Sequence, residues 1–149
     1  MKKSIFHAAA GILAILTVAT FWVSSLISEL FLDHQAVVLA KGLIANYGIY
    51  GLIFMMASVG GSGFAIGKNK KNRFIDSKTK RMRFLALNAI VVMIPSAYFL
   101  NTKAVNGEFD TIFYIVQVIE LVAGAMQLTL LGLNFRDGLK MTGRLRAKT

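Results

Sequence analysis

Four long runs of apolar residues, separated by shorter polar segments, dominate the hydrophobic pattern of this 149-residue chain. A membrane-crossing helix needs about 20 mostly apolar residues to span a hydrocarbon core about 30 Å thick. The runs cover roughly residues 8–32, 42–63, 84–100 and 111–133. Because backbone polar groups in lipid must pair within their own segment, each run predicts a helix. The pattern therefore predicts an all-α fold, in which residues 1–149 form a single four-span membrane domain, a four-helix bundle.

Two boundaries leave alternatives open. The first run could be a cleavable signal peptide with a weak cleavage site at Val23-Ser24-Ser25, but it is longer than the usual 7–15 residues and lacks a terminal A-x-A. The segment 33–40 contains no helix breaker and could be a short separate helix or the start of the second span. The glycines at 60, 61 and 63 could lie inside that span, form a turn, or offer backbone amides to a phosphate or lipid headgroup.

The composition narrows the class of protein. Hydrophobic residues make up 56% of the chain and charged residues 16%, against about 25% in ordinary soluble domains, which argues against a water-soluble enzyme. Cysteine is absent, which excludes disulfides, thiolate nucleophiles and cysteine-bound metal centres. The sequence contains no G-x-S-x-G, H-E-x-x-H or P-loop motif, so no enzymatic activity is favoured.

The basic residues predict the orientation of the chain. Only Lys41 and Lys103 of the 17 basic residues fall on one side of a four-span layout, together with Glu29, Asp33 and two further acids. The other 15 lie at the N-terminus, in the basic loop 68–83 and in the basic tail 135–149. Because basic loops stay in the cytoplasm, both termini are predicted to be cytoplasmic in a multi-pass protein of the inner (plasma) membrane.

The same positive charge predicts contact with anionic lipid headgroups. Nucleic acid is not expected as a partner, because the loop lacks the aromatic residues that are interleaved with basic ones in single-strand binding surfaces. The residues predicted to meet headgroups are Lys68, Lys70, Lys71, Arg73, Arg81 and Arg83.

Glu120 is the most informative residue, because an acid about 13 Å inside a membrane helix should face the bundle interior or a wet cavity. Gln117, Gly124 and Gln127 share its helix face. Matching depths across the spans predicts an intramembrane polar site formed by Glu120, Gln117, Gln127, Ser24, Tyr47, Asn88 and Ser96. Small and hydroxyl residues predicted to pack between helices are Thr17, Thr20, Ser28, Gly51 and Gly124.

Two interpretations of Glu120 remain open. It could be a protonated acid that holds the helices in register through a hydrogen bond, or a site that gains and loses a proton during function. The assigned spans contain no lysine or arginine as an obvious partner for it.

The two histidines limit the possible cofactors. His7 and His34 are 27 residues apart, about 40 Å along a helix, so they cannot bind one metal or haem within a chain. No metal site and no cofactor is predicted, although quinone or a single haem near His7 is an alternative. His34 is expected to be a solvated residue at the membrane interface.

The leading functional prediction is a small, non-enzymatic transporter or membrane subunit with a protonatable site at Glu120. Since four helices seldom enclose a whole pathway, we expect a homo- or hetero-oligomer. The first alternative is a membrane anchor for a redox complex. The second is a structural partner that assembles with larger membrane proteins through the small-residue face of the first helix.

Overall fold

The computed structural model of the protein describes the backbone of residues 2–67 and 73–141, and the side chains of residues 5–66 and 76–141. Within these ranges the chain is all-helical and contains no strand. The α-helices are α1 (Lys2–Phe31), α2 (His34–Leu43), α3 (Ile49–Gly67), α4 (Arg73–Asn88), α5 (Ile94–Val105) and α6 (Thr111–Met141). A π-helical turn at Ile44–Gly48 joins α2 to α3, and another at Ala89–Met93 joins α4 to α5, so the described chain forms four long helices.

Among the described residues, four helices are long and apolar enough to cross a membrane, which confirms the prediction of an all-α fold with four candidate membrane helices. The candidate spans are Ile5–Phe31, His34–Ile66, Asp76–Val105 and Thr111–Met141.

The structure corrects several predicted boundaries. Of the two alternatives left open for residues 33–40, the structure shows the start of the second helix, which begins at His34 and not near residue 42; the Asp33 side chain caps α2 by accepting a hydrogen bond from the Ala36 amide (2.9 Å). Residues 73–83 of the predicted basic loop are helical, and so are residues 135–141 of the predicted tail. The glycines at 60, 61 and 63 lie within α3. The predicted boundaries followed the apolar residues that fit the hydrocarbon core of a membrane. The helices themselves continue beyond those residues.

The connection between α5 and α6 turns at Asn106-Gly107. Gly107 has a φ of 70°, the left-handed conformation that favours glycine. Asp110 then caps α6 by accepting a hydrogen bond from the Phe113 amide (2.9 Å).

The helices pack unevenly around α1 and α6. α1 contacts α3 and α6, and α6 also contacts α4 and α5. The second and third helices meet through α2 and α5, at the end of the bundle that carries Asp33 and Asp110, here named the acidic end. Toward the opposite end, named the basic end and marked by His7 and Lys78, α3 and α4 diverge. An open cleft therefore separates α3 from α4.

Candidate functional site

A buried ion pair between Lys41 and Glu120 lies at the centre of the candidate site. Lys41 Nζ is 2.5 Å from Glu120 Oε2, and the two side chains are 0% and 8% exposed. Lys41 also donates a hydrogen bond to Ser25 Oγ at 3.2 Å. The Lys41 ammonium group therefore joins its own helix, α2, to α1 and α6.

Helix geometry explains why these charges meet inside the bundle. Lys41 lies seven residues after His34, and Glu120 lies nine residues after Thr111, which places them about 10 and 13 Å along their helices. Val37, Lys41 and Ala45 form one buried stripe of the second helix. A single ammonium or carboxylate group would be costly at such a depth, and the pairing of the two offsets part of this cost.

Glu120 therefore has a basic partner within the spans, and the expectation that it lacked one is wrong. The error came from starting the second helix at residue 42, which left Lys41 in a loop. The uninterrupted helical pattern of 33–43 was the signal in the sequence, because it extends the helix back past Lys41.

A second acid extends the site toward the acidic end. Glu29 lies within electrostatic reach of Lys41, Glu120 and His34. Its Oε1 atom is buried and has no hydrogen-bond partner among the described residues, and the same holds for Gln117 Oε1. Gln117 Nε2 lies 3.4 Å from Glu120 Oε2. The cluster thus combines one amine with two carboxyl groups. Two of its buried oxygen atoms, Glu29 Oε1 and Gln117 Oε1, could accept further hydrogen bonds.

A second polar layer lies about 10 Å further along α6. Asn88 Nδ2 donates to Gln127 Oε1 at 2.8 Å, and both side chains are buried. Both residues belong to the polar site that depth matching predicted, and the structure brings them together.

The structure does not bring the other three predicted site residues into the cluster. Tyr47 is 74% exposed, because it lies two residues, or about 200°, from the buried Ile49 on the helix. Ser24 lines a groove between α1 and α2, and its neighbour Ser25 takes the position beside Lys41. Ser96 is buried on α5, but the contacts of Lys41 and Glu120 do not include it.

The predicted packing residues also divide into two groups. Ser28 is buried and donates to the Ser25 carbonyl at 3.1 Å, while Thr17 is half-buried, 3.7 Å from Met55 Sδ. Thr20 and Gly51 are exposed instead of packed between helices.

Gly124 lies beneath the ring of Trp22, where an added Cβ would come within 2.7 Å of Trp22 Cδ1. Trp22 Nε1 donates to the Leu121 carbonyl at 2.8 Å, so α1 is fastened to α6 beside Glu120. Four residues of this region were not predicted from the sequence as site residues: Trp22, Lys41, Ser25 and Glu29.

Glu120 lies on the wall of the cleft between α3 and α4, which has a volume of about 860 Å³. Most of its lining is apolar. At the basic end the lining becomes polar, with His7, Asp76, Lys78 and Arg83. The cleft therefore connects the ion pair with a charged rim near the opposite end of the bundle.

Both ring nitrogens of His7 are engaged at this rim. Nδ1 lies 2.9 Å from Ser62 Oγ, and Nε2 lies 3.3 Å from Lys78 Nζ. A haem iron at His7 would have to displace one of these contacts. At the acidic end, His34 stacks on Phe109 with ring centroids 3.9 Å apart. Among the described residues, no group of three histidine or acidic side chains is arranged to hold a metal ion.

The predicted headgroup residues lie in different surroundings. Arg81 is paired with Asp137 at 2.7 Å, and Arg83 is exposed on the cleft rim. Arg73 begins α4, whereas Lys68, Lys70 and Lys71 lie outside the described residues.

Comparison with known proteins finds no match for this chain among protein-family models, curated proteins or solved structures.

Proposed function

We propose that the chain is a membrane transporter or membrane subunit that exchanges a proton at the Lys41–Glu120 pair when a charged molecule occupies the cleft. The observation that carries the proposal is the position of the pair. Glu120 is on the cleft wall, while Lys41 lies behind it and is fully buried. A molecule in the cleft would meet the carboxyl group first.

The proton exchange follows from the cost of net charge in a low-dielectric interior. Lys41 and Glu120 have no net charge when both are ionised, and also when the proton has moved from the ammonium to the carboxylate. An anion entering the cleft is accommodated if Glu120 gains a proton and Lys41 stays charged. A cation is accommodated if Lys41 loses its proton while Glu120 stays ionised.

Glu29 gives this exchange a route toward the acidic end. Its carboxyl group is close enough to interact with the pair, and its buried Oε1 lacks a partner among the described residues. A proton held there balances the second negative charge of the cluster. The charge asymmetry along the sequence supports an inner-membrane orientation with both termini in the cytoplasm. We expect the working form to be an oligomer.

Infrared difference spectroscopy of the full chain in vesicles after a pH jump tests this proposal. Proton exchange at Glu120 predicts a carbonyl band of a protonated carboxyl group that is lost in Glu120→Gln. The matched control is Glu108→Gln, since Glu108 is an exposed acid in the α5–α6 connection. That variant should keep the band.

Glu120→Gln leaves Lys41 without a charged partner and is expected to weaken the fold. The double variant Lys41→Gln/Glu120→Gln restores neutrality with hydrogen-bonding side chains, and it should fold and lack the band. A band of unchanged intensity in the folded double variant would overturn the proposal.

A further inference from the structure

The cleft between α3 and α4 is enclosed on three sides. α3 forms one wall, and α4 and α5 form the other, while α1 and α6 close the back. It extends from Ser25 to His7 on α1, which are 18 residues or about 27 Å apart. This is close to the full hydrocarbon thickness of about 30 Å.

The walls suit a long, flexible, apolar chain. Four methionines line the cleft, and their unbranched side chains adapt to irregular occupants. The volume of about 860 Å³ falls in the range of about 300–1,000 Å³ that is typical of sites for small molecules. These methionines are Met56, Met82, Met93 and Met141.

The basic end supplies the complementary charge. Lys78 and Arg83 line the rim there, against a single acid, Asp76. The net charge of the rim is positive, which favours an anionic headgroup over a neutral or cationic one.

The lengths also agree with a membrane lipid. Arg83 and Met93 lie ten residues apart on the third helix, about 15 Å. Half of a hydrocarbon core is also about 15 Å, the depth of one leaflet. A headgroup at Arg83 therefore places the end of an acyl chain beside Met93, which is near Trp22 and Gly124.

We infer that this cleft binds an anionic phospholipid, with its headgroup at Lys78 and Arg83 and an acyl chain against Met93 and Trp22. The inference goes beyond the proposed function and does not rest on it, because the headgroup charge of this lipid lies at the basic end of the cleft, away from Glu120. The bilayer is the source of this occupant because the cleft opens sideways between two membrane helices.

Trp22 is the single tryptophan of the chain and lines the cleft, so its fluorescence reports on the occupant. The full-length protein is reconstituted in phosphatidylcholine vesicles that contain a small fraction of lipid brominated near the chain end. Bromine quenches tryptophan on contact. Brominated phosphatidylglycerol should quench Trp22 at several-fold lower mole fraction than brominated phosphatidylcholine.

Two neighbouring glycines give a matched test of the location. Gly60 lines the cleft, Gly61 does not, and an added Cβ would meet nothing within 4 Å at either position. Gly60→Leu should fill the cleft and remove the preferential quenching, whereas Gly61→Leu should retain it. An unchanged emission spectrum in vesicles without bromine shows that both variants keep the surroundings of Trp22.

The contribution of the basic residues to headgroup preference is tested by the double variant Lys78→Gln/Arg83→Gln. In this variant the two brominated lipids should quench Trp22 fluorescence equally. Lys80→Gln is the control, because Lys80 is exposed and does not line the cleft. Equal quenching by the two lipids in the unaltered protein would overturn the inference. So would equal effects of Gly60→Leu and Gly61→Leu, or an equal loss of preference in Lys80→Gln. None of these measurements depends on proton exchange, so this inference and the proposed function fail separately.

Discussion

Two ion pairs attach α6 to other helices, and they differ mainly in their access to solvent. Lys41 and Glu120 are 0% and 8% exposed, whereas Arg81 and Asp137 are 25% and 6% exposed. The separations are similar, at 2.5 and 2.7 Å. The contact distance therefore does not distinguish the two pairs. They differ in the exposure of the basic side chain, which is buried in Lys41 and partly exposed in Arg81.

The difference has energetic consequences. A long, partly exposed arginine side chain can keep part of its guanidinium in a polar environment, so its charge survives the loss of a partner. Arg81 also donates to Asn134 at 3.2 Å. Lys41 has no such access, and removing its partner leaves a charge in a low-dielectric interior. The same type of contact thus couples the helices much more tightly at the Glu120 layer.

The largest predicted effect is at Lys41. Replacing Lys41 with methionine should lower the free energy of unfolding by about 3 kcal/mol or more, because Glu120 remains buried without its partner. Unfolding in mixed micelles by added dodecyl sulfate measures this. The double variant Lys41→Met/Glu120→Leu should recover most of the loss, since an apolar pair removes both desolvation costs. A single variant as stable as the unaltered protein would show that the pair is not isolated from water.

A smaller effect is predicted for Asp137→Asn, which leaves Arg81 without its acid. Since Arg81 is a quarter exposed, the loss should be about 1 kcal/mol, and added salt should reduce it. The same unfolding assay applies, with Glu108→Gln as the exposed control. If Asp137→Asn costs as much as Glu120→Gln, which leaves the fully buried Lys41 unpaired, the exposure of the basic side chain is not the property that separates the two pairs.

The smallest effect is predicted for the exposed contact of Asp110 with Lys103, 2.5 Å apart. Hydrogen bonds from Lys103 and from the Phe113 amide hold the pKa of Asp110 below its ordinary value. Its contribution to stability is therefore present above the unfolded-state pKa of about 4 and is lost as the pH falls through the lower folded-state pKa.

Melting temperatures of the unaltered protein and Asp110→Asn, measured between about pH 6 and 3, check this sign. Asparagine also caps helices, so the comparison isolates the charge. The two melting curves should converge on acidification. A gap that widens toward low pH would contradict the prediction.

The helical fold could be predicted because the apolar runs are long and the backbone has few options in lipid. The face of α6 could be predicted for a similar reason. Gln117, Glu120 and Gln127 are the amide and acid side chains of the apolar run 111–133, and lipid disfavours them all. Asn88 followed from the same argument, because buried amides find partners among other polar side chains.

The positions of Lys41 and Tyr47 were harder to predict, because the side of the second helix that faces the bundle interior depends on where the helix begins. Asp33 starts α2 early and brings Lys41 into the bundle, and the buried stripe then passes through Ile49. This turns Tyr47 and Gly51 outward. Side-chain size and polarity alone predicted that Tyr47 and Gly51 face the interior. The Asp33 cap was the local feature that fixes the start of the helix and therefore its buried side.

Apart from Ala123, the buried residues of α6 follow one another in alternating steps of three and four, from Gln117 through Asn134. An axial slip of α6 by one turn, about 5.4 Å, would therefore keep a similar spacing of buried positions. It would also separate Glu120 from Lys41, Gln127 from Asn88 and Asp137 from Arg81, and it would move Gly124 from beneath Trp22. The height of α6 in this bundle is consequently fixed by its polar pairs and by one glycine, because the spacing of buried residues alone would accept more than one height.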